Sequence, residues 1–256
     1  MLRRDLVDDP YCQGIAFHVS DTSQLAEAVA LILIQEYVLA RNILTGKTDE
    51  TDETPKLDGD DIEDIITRRL KPKDVYHRDG FLFQLMMWLA AHLDLEPGDL
   101  IALPHSQGSA KGQDSIVVHR AADAVVALTI CEDKATENPR DTVRGDVWPE
   151  IKIYEKGRRL DELRSSVITT LGTGGVPTDE ATRLTRGISW SGKRRYRVRV
   201  TIEIERSRQL FKGFDEIVSG ANEMRRGETV LLPGMRAWMT ELAGLIEANL
   251  RSHARE

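Results

Sequence analysis

Residues 124–134 read AVVALTICEDK: an apolar, largely β-branched run that ends in three charges, Glu132, Asp133 and Lys134. Such a run predicts a buried strand over residues 124–130. Strand side chains alternate, so Glu132 and Lys134 share one face and Asp133 takes the other. Just upstream, residues 114–119 (DSIVVH) predict a second strand, with Ala121, Ala122 and Asp123 as the turn between them. In that hairpin Asp114, which opens one strand, approaches Glu132, which closes the next. Two carboxylates and an ammonium then meet at one sheet edge.

The flanks extend this pattern. Residues 79–93 are apolar nearly all round (Phe81, Leu82, Phe83, Leu85, Met86, Met87, Trp88, Leu89) and predict a core helix. Pro97-Gly98 breaks it, and residues 99–104 (DLIALP) predict a short strand. Residues 105–113 (HSQGSAKGQ), rich in Gly, Ser and Lys, predict a loop. Beyond Lys134, Asn138-Pro139 predicts a capped helix start, and helices fill the stretch to Leu171. Residues 196–204 (YRVRVTIEI) alternate strictly and predict another strand. Helices are expected at residues 22–44, 60–70, 209–219 and 234–251. The order through the middle is helix, three strands, helix, strand.

Carboxylates at one sheet edge suit a hard divalent cation, which prefers oxygen ligands. Such a cation polarises a phosphoryl oxygen and lowers the pKa of a bound water. Lys134 can orient that water and offset charge developing on phosphate. The main-chain carbonyl of Asp133 offers one more ligand. Asp114 with Glu132-Asp133-Lys134 resembles the motif of the PD-(D/E)XK nuclease superfamily, the restriction-endonuclease-like fold. The resemblance covers residues 79–204. It implies an α/β protein with an αβββαβ core, a mixed sheet flanked by helices. Residues 1–78 would be an N-terminal helical extension, and residues 79–256 the core with C-terminal helices. It further implies Mg²⁺- or Mn²⁺-dependent cleavage of DNA, or of RNA, in restriction, repair or antiviral defence, often by homodimers. Asp114, Glu132 and Lys134 would be catalytic, with Asp114, Glu132 and Asp133 on the metal. Gln113 stands where the motif has Pro. A non-cleaving nucleic-acid-binding or assembly subunit with the same fold is the alternative.

Outside the motif, Glu150 in the first turn of a helix is a candidate extra ligand, as are Glu137 and Asp79, although a first-turn acid also matches the helix dipole. Lys111, Arg140 and Arg144 are candidate phosphate contacts. So are Arg195, Arg197 and Arg199, on the charged face of the strand at residues 196–204; seven bases stand against two acids from Trp190 to Arg208. The chain carries a net −7, but residues 49–64 hold nine acids against Lys56, so the remainder is near neutral. Net acidity therefore does not exclude a nucleic-acid partner. The loop at residues 105–112 lacks P-loop spacing, and no G-x-S-x-G is present. Two cysteines, Cys12 and Cys131, match no metal-ligand spacing and point to a reduced, cytoplasmic setting. No apolar run reaches membrane-spanning length, and the first residues carry no signal-peptide run. A standalone nuclease would harm its own cell, so control by a ligand or by a protein partner such as a helicase or sensor is expected.

Overall fold

A computed structural model describes residues 1–47, 56–104, 113–121, 124–186 and 192–255. The chain opens with two strands, β1 (Leu2–Val7) and β2 (Gln13–Val19), where the sequence predicts only helices. Helices α1 (Thr22–Leu33), α2 (Tyr37–Thr45) and α3 (Gly59–Ile65) follow, the last running into a π turn at Ile66–Leu70. Asp21 caps α1 by accepting the Gln24 N–H at 2.9 Å. The single helix expected over residues 22–44 is broken at Gln35. Its φ of 67° lies in the left-handed region, which an α-helix cannot continue through.

Helix α4 (Val75–Ala91) starts four residues before the expected position because Asp74 is its cap, accepting the Tyr76 N–H at 2.8 Å. Asp79 therefore lies inside the helix, fully buried, and not at its start. Strand β3 (Leu100–Ile101) is short. β4 (Ser115–Ala121) and β5 (Ala124–Lys134) form the hairpin, with β5 spanning the whole quoted stretch. Helices α5 (Pro139–Thr142), α6 (Trp148–Glu155), α7 (Leu160–Thr173) and α8 (Thr178–Arg186) lead to β6 (Arg194–Ile202). A π turn at Val143–Val147 joins α5 to α6. Where a helix is expected over residues 209–219, only the short α9 (Phe214–Ile217) forms. It is followed by a strand with no sequence signal, β7 (Arg225–Leu231), and by α10 (Met235–Ser252).

The strands lie in the order β1-β2-β7-β6-β5-β4-β3. The middle four, β2, β7, β6 and β5, are parallel, while β1 at one edge and β4 and β3 at the other pair antiparallel. This is a mixed sheet flanked by helices. One core joins Phe17 and Val230 to Leu82, Met86 and Ile246 from α4 and α10. The other joins Ile130, Val198 and Val200 to Val147, Ile151 and Val167 from the helices between β5 and β6. Cover on both faces suits parallel strands. Each fully buried Leu, Ile or Val stabilises by about 1.5–3 kcal/mol. That burial anchors β5 up to its charged end. No helix among the described residues is long and apolar enough to cross a membrane.

Candidate active site

The hairpin register sets the site. Ser115 opposes Cys131, and the Asp114 N–H donates to the Cys131 carbonyl at 3.2 Å, so pairing runs one residue past β4. Asp114 is thereby brought beside the end of β5. Its carboxylate accepts from Gln84 Nε2 of α4 at 2.5 Å and from the Asp133 N–H at 2.6 Å. Gln113, in the position where the motif has Pro, is clamped from the side. Its amide donates to Ser166 Oγ at 2.7 Å and accepts from the Tyr154 hydroxyl at 3.2 Å.

Glu132 is 3% exposed, and Lys134 Nζ lies 3.5 Å from its Oε2. Burial pushes the Glu132 carboxyl up to about 8, the nearby Asp114 charge adds to the rise, and Lys134 only partly offsets it. Burial acts to lower the Lys134 pKa, but Asp114, Glu132 and Asp133 outweigh it and hold the ammonium above the ordinary lysine value. Two carboxyl groups thus share one cation, and Glu132 keeps its proton up to about 8 unless a further cation arrives. Oxygen donors of this kind suit a hard divalent cation, which commonly takes one or two protein carboxylates and completes its shell with water or phosphate. Among the described residues no group of three or more His, Cys, Asp or Glu has metal-holding geometry.

The site opens into a cleft of about 1090 Å³ at the carboxyl end of β5, lined by Gln84, Asp114, Lys134, Glu150, Arg159 and Arg236 among others. Glu150 contributes to the upward shift of Glu132, yet its Oε2 also accepts from Arg159 Nη1 at 3.1 Å. Glu137 lines the same cleft and pairs with Arg236 at 3.2 Å. Asp79, 0% exposed, is held by Arg78 and Arg236 and does not reach the carboxylate pair.

Several expected contacts lie elsewhere. The Asp133 carboxylate takes the opposite sheet face, as strand alternation predicts, and pairs with Arg199, which leaves its main-chain carbonyl as the ligand expected of it. The basic face of β6 is not solvated, because α4 and its neighbours cover it. Arg199 is fully buried, and its Nη1 donates to the Met87 carbonyl at 2.7 Å. Arg197 is buried between Asp94 and Glu228, at 3.5 and 3.2 Å. Arg195 borders a separate cavity with His119 and Arg226. Arg140 Nη1 donates to the carbonyls of Leu210 and Lys212, both at 3.0 Å, and so braces a loop. Arg144 is exposed on the π turn after α5. Lys111 and the loop around it lie outside the described residues.

Among the cleft residues with no assigned role in the sequence reading are Gln84, Arg159 and Arg236. Gln84 carried a signal, being the lone polar residue within FLFQLMMW. Arg159 and Arg236 carried none. Arg159 adopts a φ of 62° immediately before α7, and only the fold brings it to the cleft. No protein-family model, curated protein or solved structure matches this chain.

Proposed function

We propose that this protein is a divalent-metal-dependent nuclease of the PD-(D/E)XK type that hydrolyses phosphodiester bonds, in DNA before RNA. The observation that carries the proposal is the convergence of Asp114, Glu132 and Lys134 at the end of β5, where Asp114 and Lys134 line one cleft and Glu132 lies buried beside them. Support comes also from the chain order α4, β3, β4, β5, helices, β6, which follows the αβββαβ pattern. Asp114 and Glu132 would hold Mg²⁺ or Mn²⁺. When bound, that ion supplies Lewis acidity at the phosphoryl oxygen and a more acidic water. Lys134, kept charged by its neighbours, orients the attacking water and balances charge growing on the phosphate. Gln84 and the Asp133 N–H hold the Asp114 carboxylate in place, and Gln113 fixes the backbone that leads into it. The second reading is a binding subunit that does not cut, favoured by a Glu132 carboxyl that burial holds protonated up to about 8.

The test is cleavage of plasmid, linear duplex and single-stranded substrates with Mg²⁺ by the wild type, Glu132→Ala and Lys134→Ala. Wild-type cutting that falls by about 10²–10³ in each variant is expected. Equal cutting by all three, or cutting that survives EDTA, would reject the site. Binding without any cutting would favour the second reading.

A further inference from the structure

We infer that Tyr76 and Arg236 form a base-stacking platform at the edge of the cleft, so that the strand taken into it is single-stranded or locally unpaired nucleic acid. The inference rests on the phosphodiester reading above and names its substrate class.

Tyr76 is a large aromatic residue left 62% exposed, in the first turn of α4. It lines the same cleft as Asp114 and Lys134. The Arg236 guanidinium lies over its ring, 4.2 Å from the centroid. One face of the ring is therefore covered by a cation, and the exposed remainder is open to a planar partner. The arginine is fixed from behind. Its Nη1 donates to Asp79 Oδ2 at 2.7 Å and its Nε to Glu137 Oε2 at 3.2 Å. Asp79 is in turn gripped by Arg78 Nε at 2.9 Å, and Arg78 Nη2 donates to Thr240 Oγ1 of α10 at 2.9 Å. An exposed ring on so well-anchored a support is pre-organised for a flat ligand.

The charge of the cleft selects among nucleic acids. Asp114, Glu137, Asp146, Glu150 and Glu162 line it against Lys134, Arg159 and Arg236, and both arginines already pair with carboxylates. Duplex binding draws its affinity from many phosphates laid along basic surface. Among the described residues this lining is acidic in balance and offers little of that. A single strand needs fewer phosphate contacts, because stacking on an aromatic ring supplies sequence-tolerant affinity.

The experiment is fluorescence anisotropy of the full chain with a short labelled oligodeoxynucleotide and with the matching duplex, in EDTA to hold cleavage off. Tighter binding of the single strand is expected. Tyr76→Ala should weaken it by about 10- to 100-fold, Tyr76→Trp should retain it, and duplex binding and melting temperature should stay unchanged. Equal affinity for both forms, or single-strand affinity unmoved by Tyr76→Ala, overturns the platform even if the protein cuts DNA. Tyr76-dependent single-strand binding without cutting in Mg²⁺ upholds the platform and rejects the nuclease reading instead.

Discussion

Glu132 and Asp133 are neighbours on one strand, equally buried at 3% and 4% exposure, and burial raises both carboxyls, to about 8 and about 7, yet the fold gives them different partners. Asp133 faces α4 and meets a matched partner. Arg199 approaches it through both Nε and Nη2, the latter at 2.9 Å, and spends its third nitrogen on the Met87 carbonyl. Burial alone would lower the Arg199 pKa, but Asp133 overrides it and holds the guanidinium charged. Glu132 takes the other sheet face, buried beside the cleft, with a lysine at 3.5 Å and a second carboxylate, Asp114, near it. A buried charge with all its partners ties a helix to a sheet. A buried acid crowded by a second carboxylate holds a proton that a cation could displace, which is why perturbed carboxylates mark functional clefts.

The largest effect is expected on the matched side. Asp133→Ala strips a fully buried arginine of its counter-ion and should cost about 3–5 kcal/mol in urea unfolding. Replacing both partners, Asp133→Leu with Arg199→Met, should recover most of that, since removing both charges removes the desolvation too. A single-variant loss below about 1 kcal/mol, the range of an exposed pair, would break the comparison from this side.

The crowded side predicts the reverse sign. Glu132 has a folded pKa near 8 against an ordinary value of 4.5. Between these values the folded protein keeps a proton that the unfolded chain has released, so this group's contribution falls as pH rises from 4.5 to 8 and levels off above. Glu132→Gln has no such proton to lose. Relative to wild type it should gain about 2–4 kcal/mol on going from pH 4 to pH 8, while cleavage is lost. Denaturation curves across that range are the measurement, and parallel pH profiles for the two proteins would show that Glu132 is not crowded at all.

These two residues also mark how far the sequence could be read. The β5 run, its alternation and the acid opening the neighbouring strand are local patterns, so the Asp114–Glu132–Lys134 convergence was legible. The roles of the β6 arginines were not. Alternation correctly separated the two faces, but a charged face reads as solvated unless its partners are known. Those partners, Asp94, Asp133 and Glu228, come from a loop and two other strands. β7 hid for the same reason. Its buried Arg225 and Glu228 erase the apolar period of a central strand. β1, an edge strand with mostly exposed side chains, never carried such a period.

Gln84 offers the finest probe, because it touches the crowded side without belonging to it. Its amide donates to Asp114 Oδ1 at 2.5 Å from a helix whose other residues there are apolar. Gln84→Leu keeps the side-chain bulk and removes only that donor. An outer partner of a metal-binding carboxylate typically changes metal affinity or activity by about 10–100-fold. The Mg²⁺ concentration for half-maximal cleavage should therefore rise by about that factor, with cutting restored at high Mg²⁺. Stability should move by less than about 1 kcal/mol, the scale of one net hydrogen bond. A variant that melts much earlier at an unchanged Mg²⁺ requirement would make Gln84 a packing residue. Asp114 would then owe its orientation to the Asp133 N–H, and the strand that buries one acid against Arg199 would also aim the other at the cleft.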